Sequence, residues 1–272
     1  MKGKFYFVGT PIGNLKDFSI NQIETLKNID LILCEDTRTS RTLLNNYEIK
    51  CSLQSFHKFN YKEMCPKIIN LLKEGKNIAL ISDAGMPVIS DPGIELIPFL
   101  KENEISYTVI GGVSAFLNAY VLSGFSYPFT FLGFLPSKNK DKKELLLDYR
   151  NLNSVLIFYS SVHDILTDLT TLFENLGERN ICICRELTKC YEEVVFGKLG
   201  EDFTNLNLKG EFVIVVDKPK ENVEDFSIEE RYNYYLNLGY SKNEAIKLVS
   251  KDKKVSKSEI YNYIVKGKNE NN

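Results

Sequence analysis

Along the first 125 residues, short apolar runs alternate with amphipathic stretches. KFYFVGT, DLILCED, SLQSFH, NIALISD and SYTVIGG are β-branched or aromatic, and polar residues close each of them, a pattern that predicts strands. Between them the spacing predicts helices over 20–28, 38–46, 61–74, 93–102 and 113–123. In the third of these, Met64, Ile68, Ile69, Leu71 and Leu72 form a helical stripe that stops before Gly75. Such alternation argues for a parallel sheet covered by helices, with binding loops at the carboxyl ends of its strands.

Past Pro128 the pattern changes. FTFLGFLP, SVLIFYSS, NICICREL, YEEVVFGKL and GEFVIVVD read as strands, helical spacing fills only 140–150 and 162–176, and the last three strands follow one another closely. This predicts a mixed sheet. The chain therefore divides into an N-terminal α/β domain, 1–125, and a second α/β domain, 126–217. A polar linker, KPKENVEDF, leads to a small helical extension, 227–268, with short helices over 228–238, 242–250 and 256–266. Ser241 and Ser256 stand where N-caps are expected.

Composition narrows the class. With 272 residues, 43% hydrophobic and 12% aromatic, the chain can bury a substantial core. No apolar run approaches the roughly 20 residues of a membrane span, and the apolar part of MKGKFYFVGT is short for a signal peptide. Six cysteines lie mostly in apolar runs, Cys182-Ile-Cys184 has no redox or zinc spacing, and there are two histidines. Reduced structural thiols, no metal site and a cytoplasmic location are the expectation.

A net charge of −2 excludes a generic nucleic-acid magnet, yet the charge is uneven. Lys242 to Lys268 carries eight lysines against Glu244, Asp252 and Glu259, and Lys138 to Lys143 holds four against Asp141. These clusters suit phosphates, but on charge alone a solvated surface is the better account of them.

Four strand ends concentrate unusual chemistry. VGTPIGNL, Val8 to Leu15, joins two glycines to Pro11 and matches neither the dinucleotide fingerprint nor the phosphate loop. CEDTRTSRTLL crowds Glu35, Asp36, Arg38 and Arg41 at a strand-to-helix junction, where capping by Asp36 or Thr37 with an ion pair is the plain structural explanation. In NIALISDAGMPVISDPG, Asp83 can accept hydrogen bonds from a ribose or an ammonium, Met86-Pro87 offers an apolar shelf, and Asp91-Pro92-Gly93 starts the next helix. VIGGVSAF brings Ser114 to a helix N-terminus, whose free amides suit a carboxylate. Together the loops suit a ligand with an amino-acid end and a nucleoside end, S-adenosylmethionine among them.

GTPIGNL, CEDTRTSRTLL, ISDAGMPVISDPG, RELTKCYEEVVFGKL and KGEFVIVV together resemble the tetrapyrrole methylase-like superfamily, and within it the enzymes that methylate small-subunit ribosomal RNA. The likeness spans residues 4–217, and the helical tail resembles that group's C-terminal extension. The resemblance implies two α/β domains with S-adenosylmethionine in the cleft between them, usually in a homodimer. It also implies methyl transfer to the 2′-hydroxyl of a cytidine ribose in the decoding region of small-subunit ribosomal RNA. Carried over by position, the cofactor site comprises Pro11, Asp83, Gly85, Met86, Ser114, Ala115, Tyr159, Gly210, Glu211 and Phe212.

The sequence departs from that pattern in places. A Pro-Gly-Pro step is Gly111-Gly112-Val113 here, FHEHN reads Phe56-His57-Lys58-Phe59-Asn60, and FYESPHR reads Phe158-Tyr159-Ser160-Ser161-Val162-His163-Asp164 without its Glu, Pro and Arg. For activation of the hydroxyl, Glu186 as acceptor or Lys189 as a positive group is one candidate pair. Asp36 and Arg38, beside Glu35, are the competing set, Arg38 or Arg185 can instead grip phosphate, and buried salt bridges use the same residue types. Two other readings stay open: a methyltransferase of this fold acting on a tetrapyrrole or other small molecule, and a ribosome-binding protein with weakened catalysis.

Overall fold

In the computed structural model, which describes residues 1–219, 227–237, 239–253 and 255–266, every predicted strand forms. The first sheet is parallel throughout, in the order β3-β2-β4-β1-β5. Its strands are β1 (Phe5–Val8), β2 (Leu31–Cys34), β3 (Ser52–Ser55), β4 (Ile78–Ile81) and β5 (Tyr107–Ile110). The central strands β1 and β4 pair in register from Phe5 opposite Ile78 to Val8 opposite Ile81. Both faces of these strands are covered, which is why they read as unbroken apolar runs.

Helices α1 (Ile20–Lys27) and α2 (Thr37–Asn46) cover one face, packing Leu26 and Leu44 on Val8, Ile32 and Ile81. Helices α3 (Tyr61–Lys73) and α4 (Leu96–Glu102) cover the other, packing Ile68, Leu72, Leu96 and Leu100 on Phe5, Phe7 and Leu80. Adjacent strands β1 and β4 thus send the chain to opposite faces, and a crevice opens between their carboxyl ends. Helix α4 starts at Leu96, later than the expected 93. Gly93 has φ +133°, Leu96 N–H bonds back to its carbonyl at 3.1 Å, and this turn replaces the first helical turn.

Helix α5 (Ala115–Ser123) leaves the first sheet for the second: Phe116, Ala119 and Tyr120 pack on Ile157, Cys182, Cys184 and Val213. The second sheet runs β6-β7-β10-β8-β9, built from β6 (Phe129–Phe134), β7 (Val155–Ser160), β8 (Asn180–Arg185), β9 (Glu193–Lys198) and β10 (Phe212–Val216). The β6–β7 pair is parallel and the others are antiparallel, the mixed sheet that the spacing predicts. Residues alternate between its faces. In β8, Cys182 and Cys184 meet α5, while Ile181 and Ile183 meet the layer of α6 (Asn139–Tyr149) and α7 (Ile165–Leu176). Helix α7 begins at Ile165 instead of 162 because Ser161 to Asp164 form a turn, with the Ser161 hydroxyl on the Asp164 carboxylate at 2.6 Å.

Lys142, which the sequence places in a basic surface cluster, is instead buried. Its ammonium pairs with Asp168 of α7 at 2.9 Å. The cysteines among the described residues form no disulfide.

The chain divides into compact units after Pro219. The C-terminal unit holds α8 (Ile228–Asn237), α9 (Lys242–Lys253) and α10 (Lys257–Lys266) around Tyr232, Ala245, Ile246, Val249 and Ile260. Each helix opens with a reciprocal Ser–Glu box: Ser227 with Glu230, Ser241 with Glu244 and Ser256 with Glu259. The linker from 220 to 226, and the predicted helix end at 238, lie outside the described residues. Among the described residues no helix is long and apolar enough to cross a membrane, and no group of His, Cys, Asp and Glu is arranged to hold a metal ion.

Candidate active site

The loop after β1 is fastened on three sides. Thr10 exchanges backbone hydrogen bonds with Gly85, at 2.8 and 3.1 Å, and its hydroxyl reaches the Ser82 carbonyl at 3.1 Å. Gln22, part of the capping box of α1, donates its side-chain amide to the Gly9 carbonyl at 2.7 Å. Gly9 also lies against Gly112, and a Cβ on Gly9 would sit 2.9 Å from the Gly112 backbone and 2.7 Å from Met86 Sδ. The Gly112 amide donates to that sulfur at 3.2 Å. Glycine at 112 is what lets the loops after β1, β4 and β5 meet in one place.

These loops and the ends of β7 and β10 enclose a cavity of about 470 Å³ between the two sheets. Asp83, Gly85, Met86, Ser114, Ala115, Tyr159, Gly210, Glu211 and Phe212 all line it, so nearly the whole set expected from the resemblance lies on one wall. Pro11 is outside that wall, its neighbour Ile12 being the residue that lines it. Ser114 occupies the N-cap position of α5 without capping it through its side chain. Burial pushes the Tyr159 phenol up, while the Ser114 hydroxyl and the Phe116 N–H pull the other way.

The charge on the wall has one sign. Glu35, Asp83, Asp91 and Glu211 line the cavity, and no Lys or Arg among the described residues does. Burial raises the Asp83 carboxyl, partly offset by a hydrogen bond from the Asp36 N–H, with Glu35 and Asp36 adding repulsion. Burial, then the charges of Glu35 and Asp83, push Asp91 up to about 7. Sequence reasoning takes Asp91 only as the start of a helix and misses its place on the wall. Its burial, and the approach of Glu35 from the loop after β2, are set by the fold and leave no mark in the local sequence.

The remaining expected residues separate into two groups. Asp36 caps α2 by accepting from the Arg38 N–H at 2.8 Å and pairs with the exposed Arg38 guanidinium at 2.7 Å, which holds its carboxyl at about 2. Neither residue lines the cavity. Glu186 and Lys189 stand just behind its Gly210–Glu211 edge. The Lys189 ammonium lies 2.8 Å from both Glu186 and Glu211, and Glu186 Oε1 also accepts from the Glu211 N–H at 3.0 Å. Burial works against the Glu186 charge, but Lys189 and that N–H outweigh it and leave its pKa lowered. Thr188 ties this segment to the first loop by accepting from the Asn14 N–H at 3.2 Å. Arg185 is buried, bonded to Glu193 at 2.8 Å and to the Lys209 carbonyl at 3.2 Å.

Comparison with known proteins gives this arrangement a family. The family described as Tetrapyrrole (Corrin/Porphyrin) Methylases matches residues 4–201. The chain is 41% identical to the ribosomal RNA small subunit methyltransferase I of Halalkalibacterium halodurans, covering 96% of this chain and 94% of that protein. It is 39% identical to the protein of the same name from Bacillus subtilis, covering 95% and 93%. Among solved structures, the methyltransferase CobJ superposes with a TM-score of 0.62 at 15% identity, over 79% of this chain and 94% of that one, a likeness of fold.

The methyl donor of this family, S-adenosylmethionine, fits the wall. The volume is in the range of small-molecule sites. Glu35, Asp83 and Asp91, on a wall that no Lys or Arg among the described residues lines, suit its positive sulfur and ammonium, and the N-terminus of α5 suits its carboxylate. The chain belongs to the tetrapyrrole methylase family of S-adenosylmethionine-dependent methyltransferases, in the group whose curated members are named ribosomal RNA small subunit methyltransferase I.

Proposed function

We propose that this protein methylates the 2′-hydroxyl of a cytidine ribose in the decoding region of small-subunit ribosomal RNA. The observation that carries this reading is identity of about two residues in five, along nearly the whole chain, with proteins named for that RNA. S-adenosylmethionine supplies an electrophilic methyl group on a cationic sulfur. The residues of this chain then have to hold it, exclude water and place a hydroxyl in line, and such positioning provides much of the acceleration.

In this reading Asp83, Gly85, Met86, Ser114, Ala115, Tyr159 and Gly210 to Phe212 hold the cofactor, with Pro11 stiffening the loop beneath it. Glu186 and Lys189 act on the hydroxyl through the edge they brace at Glu211, and Asp36 with Arg38 is the competing set, linked to the cavity through the Asp36 N–H on Asp83. The location is the cytoplasm. The partner is the assembled small subunit or its RNA, and the enzyme works as a homodimer, for which the exposed Leu117, Val121 and Leu122 of α5 offer an apolar face.

Two features suit an RNA acceptor. Phe134 is 56% exposed on the cavity wall, with its ring centroid 5.4 Å from that of Tyr159, a shelf on which an unstacked base can lie. Phe134→Ala is expected to raise the KM for small subunits about five- to a hundredfold, from a base stack of about 1–3 kcal/mol, and to leave the cofactor Kd unchanged. In the C-terminal unit Glu230, Glu244 and Glu259 are spent on helix caps, and Asp252 on Arg231 and Tyr235, while Lys242, Lys247, Lys251 and Lys257 stand exposed. Binding to small subunits is therefore expected to weaken as salt rises, and Lys247→Ala to reduce the salt slope by about one. Binding that ignores salt counts against this surface.

The acceptor class is tested by offering radiolabelled cofactor with either unmodified small subunits or a uroporphyrinogen-type tetrapyrrole. Label in the RNA alone supports the proposal, whereas label in the tetrapyrrole alone replaces it with small-molecule methylation.

A further inference from the structure

The loop after β3 stands at the carboxyl end of the first sheet, and the cofactor assignment makes no use of it. Two contacts join it to the loop after β2. The Phe56 N–H donates to the Cys34 carbonyl at 2.8 Å, and the Ser55 hydroxyl donates at 3.1 Å to the carbonyl of Glu35, a residue of the cavity wall. The tip of the loop is Phe59, which is 85% exposed. From residue 21 to residue 88 no other large apolar side chain is exposed. The surrounding elements β2, α2, β3 and α3 therefore add no apolar patch to it, as a protein-binding surface would require.

The loop that carries this ring is held in shape by its own polar groups. Asn60 bridges it: the side-chain oxygen accepts the His57 N–H at 2.9 Å, and the side-chain amide donates to the Ser55 carbonyl at 3.0 Å. The Asn60 N–H also donates to the His57 carbonyl at 3.1 Å. The Phe59 N–H donates to His57 Nδ1 at 3.3 Å, and the two rings lie edge to face with centroids 6.0 Å apart. A ring presented in this way loses little freedom when a ligand meets it.

The charge beside the ring is positive. The Lys58 ammonium stands 5.0 Å from the Phe59 centroid, and Lys58 and Lys62 are both exposed. Glu63, the neighbouring carboxylate, is paired with Lys67 at 2.6 Å. An unstacked nucleotide offers both of the partners this loop lacks, a π face for the ring and a phosphate for the ammoniums. We infer that the loop from His57 to Asn60 is a docking point for single-stranded RNA, with Phe59 stacked on an unpaired base and Lys58 and Lys62 on the phosphates beside it. The inference rests on reading small-subunit RNA as the acceptor. It adds a second stacking residue, at the carboxyl end of β3, to Phe134 at the end of β6.

The test uses the full-length protein, S-adenosylmethionine and unmodified small subunits. Phe59→Ala is expected to raise the KM for small subunits about five- to a hundredfold, the scale of one lost base stack, while kcat and the cofactor Kd stay within about twofold. Phe59→Tyr keeps the ring and is expected to stay within about threefold of wild type. Phe59→Leu keeps only the apolar bulk and is expected to be as weak as the alanine variant. Lys58→Ala is expected to reduce the salt slope of binding by about one, and Phe59→Ala to leave that slope unchanged.

Photocrosslinking supplies a readout apart from turnover. With azidophenylalanine in place of Phe59, irradiation of the complex with small subunits is expected to attach the protein to ribosomal RNA. A Phe59→Ala KM within twofold of wild type, a leucine variant that matches or exceeds the tyrosine one, or a crosslink to ribosomal protein alone would each overturn the inference. An unchanged salt slope in Lys58→Ala would remove the phosphate contact from it. A wild type that methylates no small subunit overturns the RNA reading itself, and the wild-type arm shows this before any variant is compared.

Discussion

Asp168→Ala is expected to destabilise the protein by about 3–5 kcal/mol in urea unfolding, the scale of breaking a buried ion pair from one side. The side chains of Lys142 and Asp168 are 8% and 5% exposed, and their charged atoms lie 2.9 Å apart. The second Asp168 oxygen accepts the Ser160 hydroxyl at 2.7 Å. Alanine would strand the buried Lys142 ammonium without the carboxylate that compensates it. Replacing both partners, Lys142→Met with Asp168→Leu, is expected to cost little or even to stabilise, since no charge then has to leave water. A double variant as unstable as the single one would show that the pair contributes shape rather than charge compensation.

Asp83→Asn is expected to weaken cofactor binding about ten- to a hundredfold, the scale of a hydrogen bond to a charged group, about 1.5–3 kcal/mol. Asparagine keeps the shape and can still accept from the Asp36 N–H, so the loss reports the charge. The same substitution removes one of the carboxylates that raise Asp91, and the Asp91 ionisation should therefore move below about 7. Asp83 is itself raised by burial, so its contribution to binding a cation is lost as pH falls through a value above its ordinary one. Isothermal titration from pH 5 to 8 measures both effects. An unchanged Kd would remove Asp83 from the cofactor site.

What the sequence made legible was local. β4 and β8 are buried on both faces, so IALI and ICIC announce strands without any knowledge of their partners. Ser241 and Ser256 reveal their caps because the glutamates they need lie three residues on. The starts of α4 and α7 were less legible, since Gly93 and Ser161 open turns with helix-like spacing.

What stayed hidden depended on distance along the chain. Lys142 reads as a surface lysine until Asp168 arrives beneath it from another helix. The spacing of Glu186 and Lys189 shows that they can pair, but not that Glu211 completes the cluster from the adjoining strand. Asp91 looks like turn chemistry because its burial, and the approach of Glu35 from the loop after β2, come from the fold. Most of the cavity wall was legible through resemblance of its motifs, not through the chemistry of any one loop.

The measurement that bears most directly on the proposed function is to incubate the purified protein with methyl-labelled S-adenosylmethionine and small subunits from cells lacking this activity, then to locate the label by nuclease digestion and mass spectrometry. The expected result is a single cytidine of the decoding region carrying the methyl group on its ribose 2′-oxygen. Label on a base or at a site outside the decoding region, or no label from protein that binds the cofactor, would contradict it.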